Sequence, residues 1–118
     1  MAVPILNIPI QSELSKPFIK AGDTIQPILF EFEVADGIDI TGATIKMQCY
    51  NFKTKVLDLS SDTSGITITG ARTFEIDKIL NNTLPEGDSL GDVEINFADG
   101  TRETYFNIVY TISKQYTI

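Results

Sequence analysis

Alternation with a period of two is the feature that most constrains what this chain can fold into. Across residues 24–34, Gln26, Ile28, Phe30, Phe32 and Val34 fall on one side, and Ile25, Pro27, Leu29, Glu31 and Glu33 fall on the other. Successive side chains of a strand point to opposite faces, whereas a helix groups residues three and four apart, so this spacing predicts a strand with one buried face. Pro27 has no N–H and places the early part of that strand at an edge or a bulge. The pattern returns where Ala43, Ile45, Met47 and Cys49 alternate with Thr44, Lys46, Gln48 and Tyr50. A shorter strand is expected over residues 55–59, and residues 66–69 and 73–76 flank Gly70-Ala71-Arg72 as a hairpin. Val93, Ile95 and Phe97 then alternate before Ala98-Asp99-Gly100, and Thr104, Phe106, Ile108, Tyr110 and Ile112 alternate after it. Asp-Gly between two such runs is a hairpin signal, because the turn needs a residue tolerant of positive φ.

Between these segments lie turn residues. Ala35-Asp36-Gly37 and Thr41-Gly42 bracket a short link carrying Ile38 and Ile40, residues 60–65 read as a loop, and residues 87–91 read as another turn region. Residues 77–83 are the one helical candidate, with Asp77 as a cap and Pro85 as a stop, and they reach about two turns at most. The class this predicts is all-β: an immunoglobulin-like antiparallel β-sandwich of about seven strands with one short connecting helix. The chain has one cysteine and no tryptophan, so the Cys–Trp–Cys signature of antibody-type domains is absent and the prediction concerns architecture alone.

With 118 residues there is material for one core without staples, expected over residues 19–118. Residues 1–18 are read apart from it. Their first ten, MAVPILNIPI, are apolar but lack a basic n-region, are interrupted by Pro4 and Pro9, and are followed by no small-residue cleavage site. They therefore read as an extended N-terminal arm or a first strand, not as a signal peptide.

Chemistry is sparse. Histidine is absent, which removes His-based triads, His general bases and His metal ligation. Cys49 falls in phase with Ile45 and Met47 and is expected to be a small buried hydrophobe. The carboxylate pairs Glu31/Glu33 and Asp92/Glu94 have the i, i+2 spacing of a solvated strand face, and no tryptophan accompanies them as a sugar platform. Aspartates recur within residues 36–39, 58–62 and 88–92, none with the spacing of a calcium loop, so they read as turn formers. Asn81-Asn82-Thr83 is formally a glycosylation sequon, relevant only to a chain secreted by a eukaryote. The expectation is a non-enzyme with no catalytic, cofactor-binding or metal-binding residues. Sixteen acidic against nine scattered basic residues give a net charge of −7, which argues against nucleic acid and an anionic membrane surface as partners. No apolar run approaches the ~20 residues of a membrane-spanning helix.

Several motifs recur in a fixed order. Ile19-Lys20-Ala21-Gly22-Asp23-Thr24 opens a strand, and the run from Asp39-Ile40-Thr41-Gly42-Ala43-Thr44 to Met47 follows. Lys55-Val56-Leu57-Asp58-Leu59, Gly65-Ile66-Thr67-Ile68, Leu84-Pro85-Glu86-Gly87 and the closing Gly91-to-Thr101 segment come next. This order resembles small tail-associated proteins of bacteriophages and prophages, including the N-terminal immunoglobulin-like domain of phage baseplate upper proteins. It covers about residues 19–112; residues 1–18 fall outside it, and the chain ends just after the last strand, where baseplate upper proteins continue. The resemblance implies a multi-copy virion structural protein of the tail or baseplate. Its partners would be other virion proteins and copies of itself, and it would be made in the bacterial host cytoplasm before joining the virion. A capsid decoration or head–tail connecting protein is the alternative within that class. A carbohydrate-binding or adhesive module is the alternative outside it.

The candidate contact residues are Val3, Ile5, Ile8 and Ile10, more apolar material than an exposed tail normally carries. They form either the first strand of their own sandwich or an arm that adds as a strand to a neighbour's sheet edge. Tyr50, Tyr105 and Tyr116, expected to face outward, complete the set.

Overall fold

In the computed structural model, which describes residues 19–114 apart from the side chain of Phe106, the alternating segments form eight strands in two facing sheets. These are β1 (Ile19–Lys20), β2 (Ile28–Glu31), β3 (Thr44–Asn51), β4 (Thr54–Ser60), β5 (Ile66–Ile68), β6 (Thr73–Ile76), β7 (Gly87–Asn96) and β8 (Arg102–Ser113). One sheet runs β1-β8-β7-β3-β4 and the other β2-β6-β5. Taken in chain order from β2, this is the B-E-D sheet against the G-F-C-C′ sheet of an immunoglobulin-like sandwich. The pairings are antiparallel except that of β1, which runs parallel to β8 through Ile19↔Ile112 and Lys20↔Ser113.

The buried sets are those that the alternation selects. Ile28 and Phe30 of β2 face Ile45, Met47 and Cys49 of β3 and Val93 and Ile95 of β7 across the sandwich, with Ile108, Tyr110 and Ile112 of β8 beside them. Phe30 and Phe74 are cross-strand partners whose rings stack at 4.8 Å and 13°. The alternation of residues 24–34 fails at both ends, for local reasons. Pro27 shifts the phase, so Ile25 is buried and pairs with Ile79 instead of sharing the exposed side of Leu29. Val34 sits 70% exposed in the 3-10 turn Val34–Asp36, which turns the chain away from the sheet. The link that follows is not passive, since Ile38 and Ile40 both enter the core.

Residues 77–83 do not form a helix. The backbone of Ile79 exchanges both hydrogen bonds with Ile25, at 2.8 and 2.9 Å, and so cannot serve a helical ladder. Asn82 locks the same segment. Its buried amide donates to the carbonyls of Asp23 (2.7 Å) and Lys20 (3.1 Å), and its oxygen accepts from the N–H of Leu84 (3.0 Å). A seven-residue helix would be marginal in water, and these tertiary bonds outweigh it. The expected turn at residues 87–91 is likewise replaced by the start of β7. There, Asp88, Leu90 and Asp92 extend the outward side of the Val93–Ile95 alternation backwards. The Asp99-Gly100 turn forms as expected, with Gly100 at φ 92° and Asp99 Oδ1 accepting from the Thr101 N–H at 2.9 Å.

Two outcomes follow for stability. Phe30→Ala should cost about 3–5 kcal/mol in urea unfolding, as loss of a fully buried aromatic does, whereas Glu31→Gln, on the exposed face one residue on, should stay within about 0.5 kcal/mol. A large loss at Glu31 with a small one at Phe30 would mean the faces of β2 are reversed. Asn82→Ala removes both side-chain donations and the acceptor for the buried Leu84 N–H, and should cost about 2–3 kcal/mol by the same measurement; a neutral result would remove Asn82 from the framework.

Candidate functional site

Because the inner sides of β3, β7 and β8 are committed to the core, their outer sides form a continuous sheet face in which cross-strand partners line up in rows. One row is Lys55, Tyr50, Leu90 and Val109; the next is Asp58, Gln48, Asp92 and Asn107. Beyond these, Lys46 stands opposite Glu94 and Glu94 opposite Thr104. An open groove of about 560 Å³ lies on this face, lined by Gln48, Tyr50, Leu90, Gly91, Asp92 and Asn107. A second of about 230 Å³, lined by Lys46, Gln48, Asp92 and Glu94, shares Gln48 and Asp92 with it. Under the groove, Gly91 opposes Cys49, and a Cβ there would sit 2.6 Å from Cys49 Sγ and against the Gln48 carbonyl. Glycine therefore permits the close approach of β3 and β7 that forms the groove floor.

The face combines two kinds of chemistry. Tyr50 (40% exposed) and Leu90 (57% exposed) present apolar surface. Gln48 and Asn107 offer amides, and Asp92 and Glu94 offer carboxylates. Next to it, the β3–β4 hairpin turns through Phe52, whose φ of 55° is unusual for a bulky residue and whose side chain is 95% exposed.

Of the residues expected to make contacts, Tyr50 lies in the groove. Tyr105 does not face outward. A register shift in the β7–β8 ladder places Val93 opposite Phe106 and Glu94 opposite Thr104, leaving Tyr105 as the extra residue. The bulge turns its half-buried ring inward, edge-on to Phe32 at 5.5 Å and to Phe97 at 6.3 Å. Burial, and then the Glu103 carboxylate nearby, push its hydroxyl above the usual tyrosine range. Val3, Ile5, Ile8, Ile10 and Tyr116 lie outside the described residues.

Leu90, Asn107 and Phe52 were not singled out by sequence. Leu90 was masked by the Gly-Asp-Ser composition around it, although its alternation with Asp88 and Asp92 was a usable signal. The turn of Phe52 has no glycine to announce it. The aspartates of the loops are engaged locally. Asp39 Oδ1 accepts from the Thr41 N–H at 2.8 Å, and its hydrogen bonds with Thr41 hold its carboxyl below the usual range. Among the described residues, no group of three or more acids and Cys gathers as it would around a metal ion.

No protein-family model and no curated protein matches the sequence. Among solved structures, the chain is similar to murine CRIg at 11% identity, with a TM-score of 0.42 and coverage of 97% of this chain and 99% of that one.

Cys49 is fully buried, and burial, followed by the charge of Asp92 behind it, pushes its thiol up to about 11. The folded protein therefore holds the neutral thiol, while an unfolded chain ionises it near 8.5. Stability from this group is fully present below the unfolded value and is lost as pH rises from about 8.5 towards about 11. Cys49→Ala should flatten part of that decline in urea midpoints measured across the window. Native Cys49 should also resist iodoacetamide at pH 8 and react in urea; rapid native labelling would show an accessible thiolate.

Proposed function

We propose that this chain is a non-enzymatic structural protein of a bacteriophage or prophage virion. In this reading it is a multi-copy component of the tail or baseplate, assembled through sheet edges and its N-terminal segment. The observation that supports the reading is the agreement between the ordered motifs and the elements they occupy. Residues 19–24 run through β1 into the following turn, 39–47 lead into β3, 55–59 lie in β4, 65–68 open β5, and 91–101 carry β7 into its hairpin; the short helical link expected to end at 84–87 is instead a non-helical lead into β7. The sandwich implied by the resemblance is the sandwich these segments build.

Assembly has a physical route in such a fold. Among the described residues, β2 and β5 are the outer strands of one sheet and β4 is an outer strand of the other. An extended segment from a neighbouring copy can add to an outer strand through main-chain hydrogen bonds, with side chains setting the register. Val3, Ile5, Ile8 and Ile10 are the apolar side chains for that role, and repetition around a symmetry axis would link copies without any one large interface.

Light scattering on the full chain should give an oligomer. The Ile5→Asp, Ile8→Asp double variant and a chain beginning at Ser15 should both give a folded monomer, with circular dichroism unchanged. A monomeric full chain whose shortened form unfolds would instead make residues 1–18 an internal first strand and overturn the exchanged arm.

A further inference from the structure

We propose that the groove across β3 and β7 seats an arginine side chain presented by a partner protein, with its guanidinium on Asp92. The inference does not rest on the virion reading. It begins from how the outward carboxylates of this face are occupied. Asp58 accepts from Lys55 Nζ at 3.0 Å and from Gln48 Nε2 at 3.4 Å. Asp88 accepts from Thr111 Oγ1 at 2.8 Å, and Glu94 accepts from Asn96 at 3.2 Å with Arg102 at 3.9 Å. Asp92 has no hydrogen bond or ion pair among the described residues, and it lines both grooves.

An exposed carboxylate without a partner is ordinary by itself. The surroundings of Asp92 make it a site. Gln48, which lines both grooves, gives its amide nitrogen to Asp58 and keeps its carbonyl oxygen as an acceptor, and Asn107 stands across from Asp92 on the other flank. Leu90 and Val109 form an aliphatic shelf in the adjoining row, next to the Tyr50 ring. A guanidinium matches this set: its planar fork meets a carboxylate with two parallel hydrogen bonds, and its remaining N–H groups suit amide oxygens. Its stem covers aliphatic surface while its charged plane can lie over a tyrosine. The chain's net charge of −7 draws a cationic partner in, and the lysines of the face, Lys46 and Lys55, stand opposite Glu94 and Tyr50 and not opposite Asp92.

The test is a 1H–15N NMR titration of the full chain with acetyl-Gly-Arg-Gly-amide, with the neutral citrulline peptide run in parallel. The arginine peptide should give saturable shifts centred on Gln48, Tyr50, Leu90, Asp92 and Asn107. Binding should weaken roughly tenfold with citrulline and in Asp92→Asn, and should fall as salt is raised. Tyr50→Ala should weaken it as well, while Glu31→Gln, on the other sheet, should leave it unchanged. Retention of the spectrum away from the groove shows that each variant folds. Equal binding of citrulline, indifference to Asp92→Asn, or shifts spread over all surface carboxylates would overturn the proposal. So would saturation of the same residues by maltohexaose but not by the arginine peptide, which would make the groove a saccharide site.

Discussion

The small sheet presents an aromatic stack to the core, and Tyr105 of β8 joins it from the larger sheet. Phe30 and Phe74, paired across β2 and β6, are fully buried with their rings 4.8 Å apart, and Phe32 and Tyr105 extend the cluster at 6.2 and 5.5 Å. A disulfide between the sheets is impossible in a chain with one cysteine, so packing alone must supply this contact. Large rings suit the small sheet, because its strands are short and each inward position has to bury much area. The cluster also explains the bulge at Tyr105. A strictly alternating β8 would point that ring to solvent, and the extra residue returns it to Phe32.

Once the inward set is fixed by this packing, the outer face of the larger sheet follows as its complement. Met47 and Cys49 point in, so Gln48 and Tyr50 point out; Val93 and Ile95 point in, so Asp92 and Glu94 point out. The register then decides which outward residues become neighbours. A one-residue slip between β3 and β7 would separate Tyr50 from Leu90 and Gln48 from Asp92. Gly91 resists such a slip, since most side chains brought to its position would collide with Cys49 and with the Gln48 carbonyl. The groove is thus a product of core packing and of one missing side chain.

Much of the fold was legible because it depends on local alternation. The β3, β4, β6 and β8 segments, the hairpin between β7 and β8, and the buried Cys49 could all be read from period two and turn chemistry. What escaped depended on contacts between distant residues. Ile25 and Ile79 are far apart in sequence, and their pairing, together with the Asn82 hydrogen bonds, displaced the expected helix. The bulge that buries Tyr105 leaves no mark in a regular alternation. The groove was hidden for a related reason. Tyr50 was recognisable as an outward aromatic, but Leu90 and Asn107 acquire significance only when β3, β7 and β8 lie side by side.

Asp92 joins the two sides of the sheet electrically as well as geometrically. It stands on the outer face, yet its charge reaches through the strand to Cys49, where it adds to the larger effect of burial in keeping the thiol protonated. Elsewhere on the face, Asp58 has Lys55 and Glu94 has Arg102 nearby, while Asp88 has only the Thr111 hydroxyl. A negative charge left uncompensated over a close-packed core is felt by that core, because the interior screens it less than water does. A cation seated in the groove would give Asp92 the kind of partner that Asp58 and Glu94 already have. It would also relieve the interior of a field that no residue of the sandwich, among those described, offsets by direct contact.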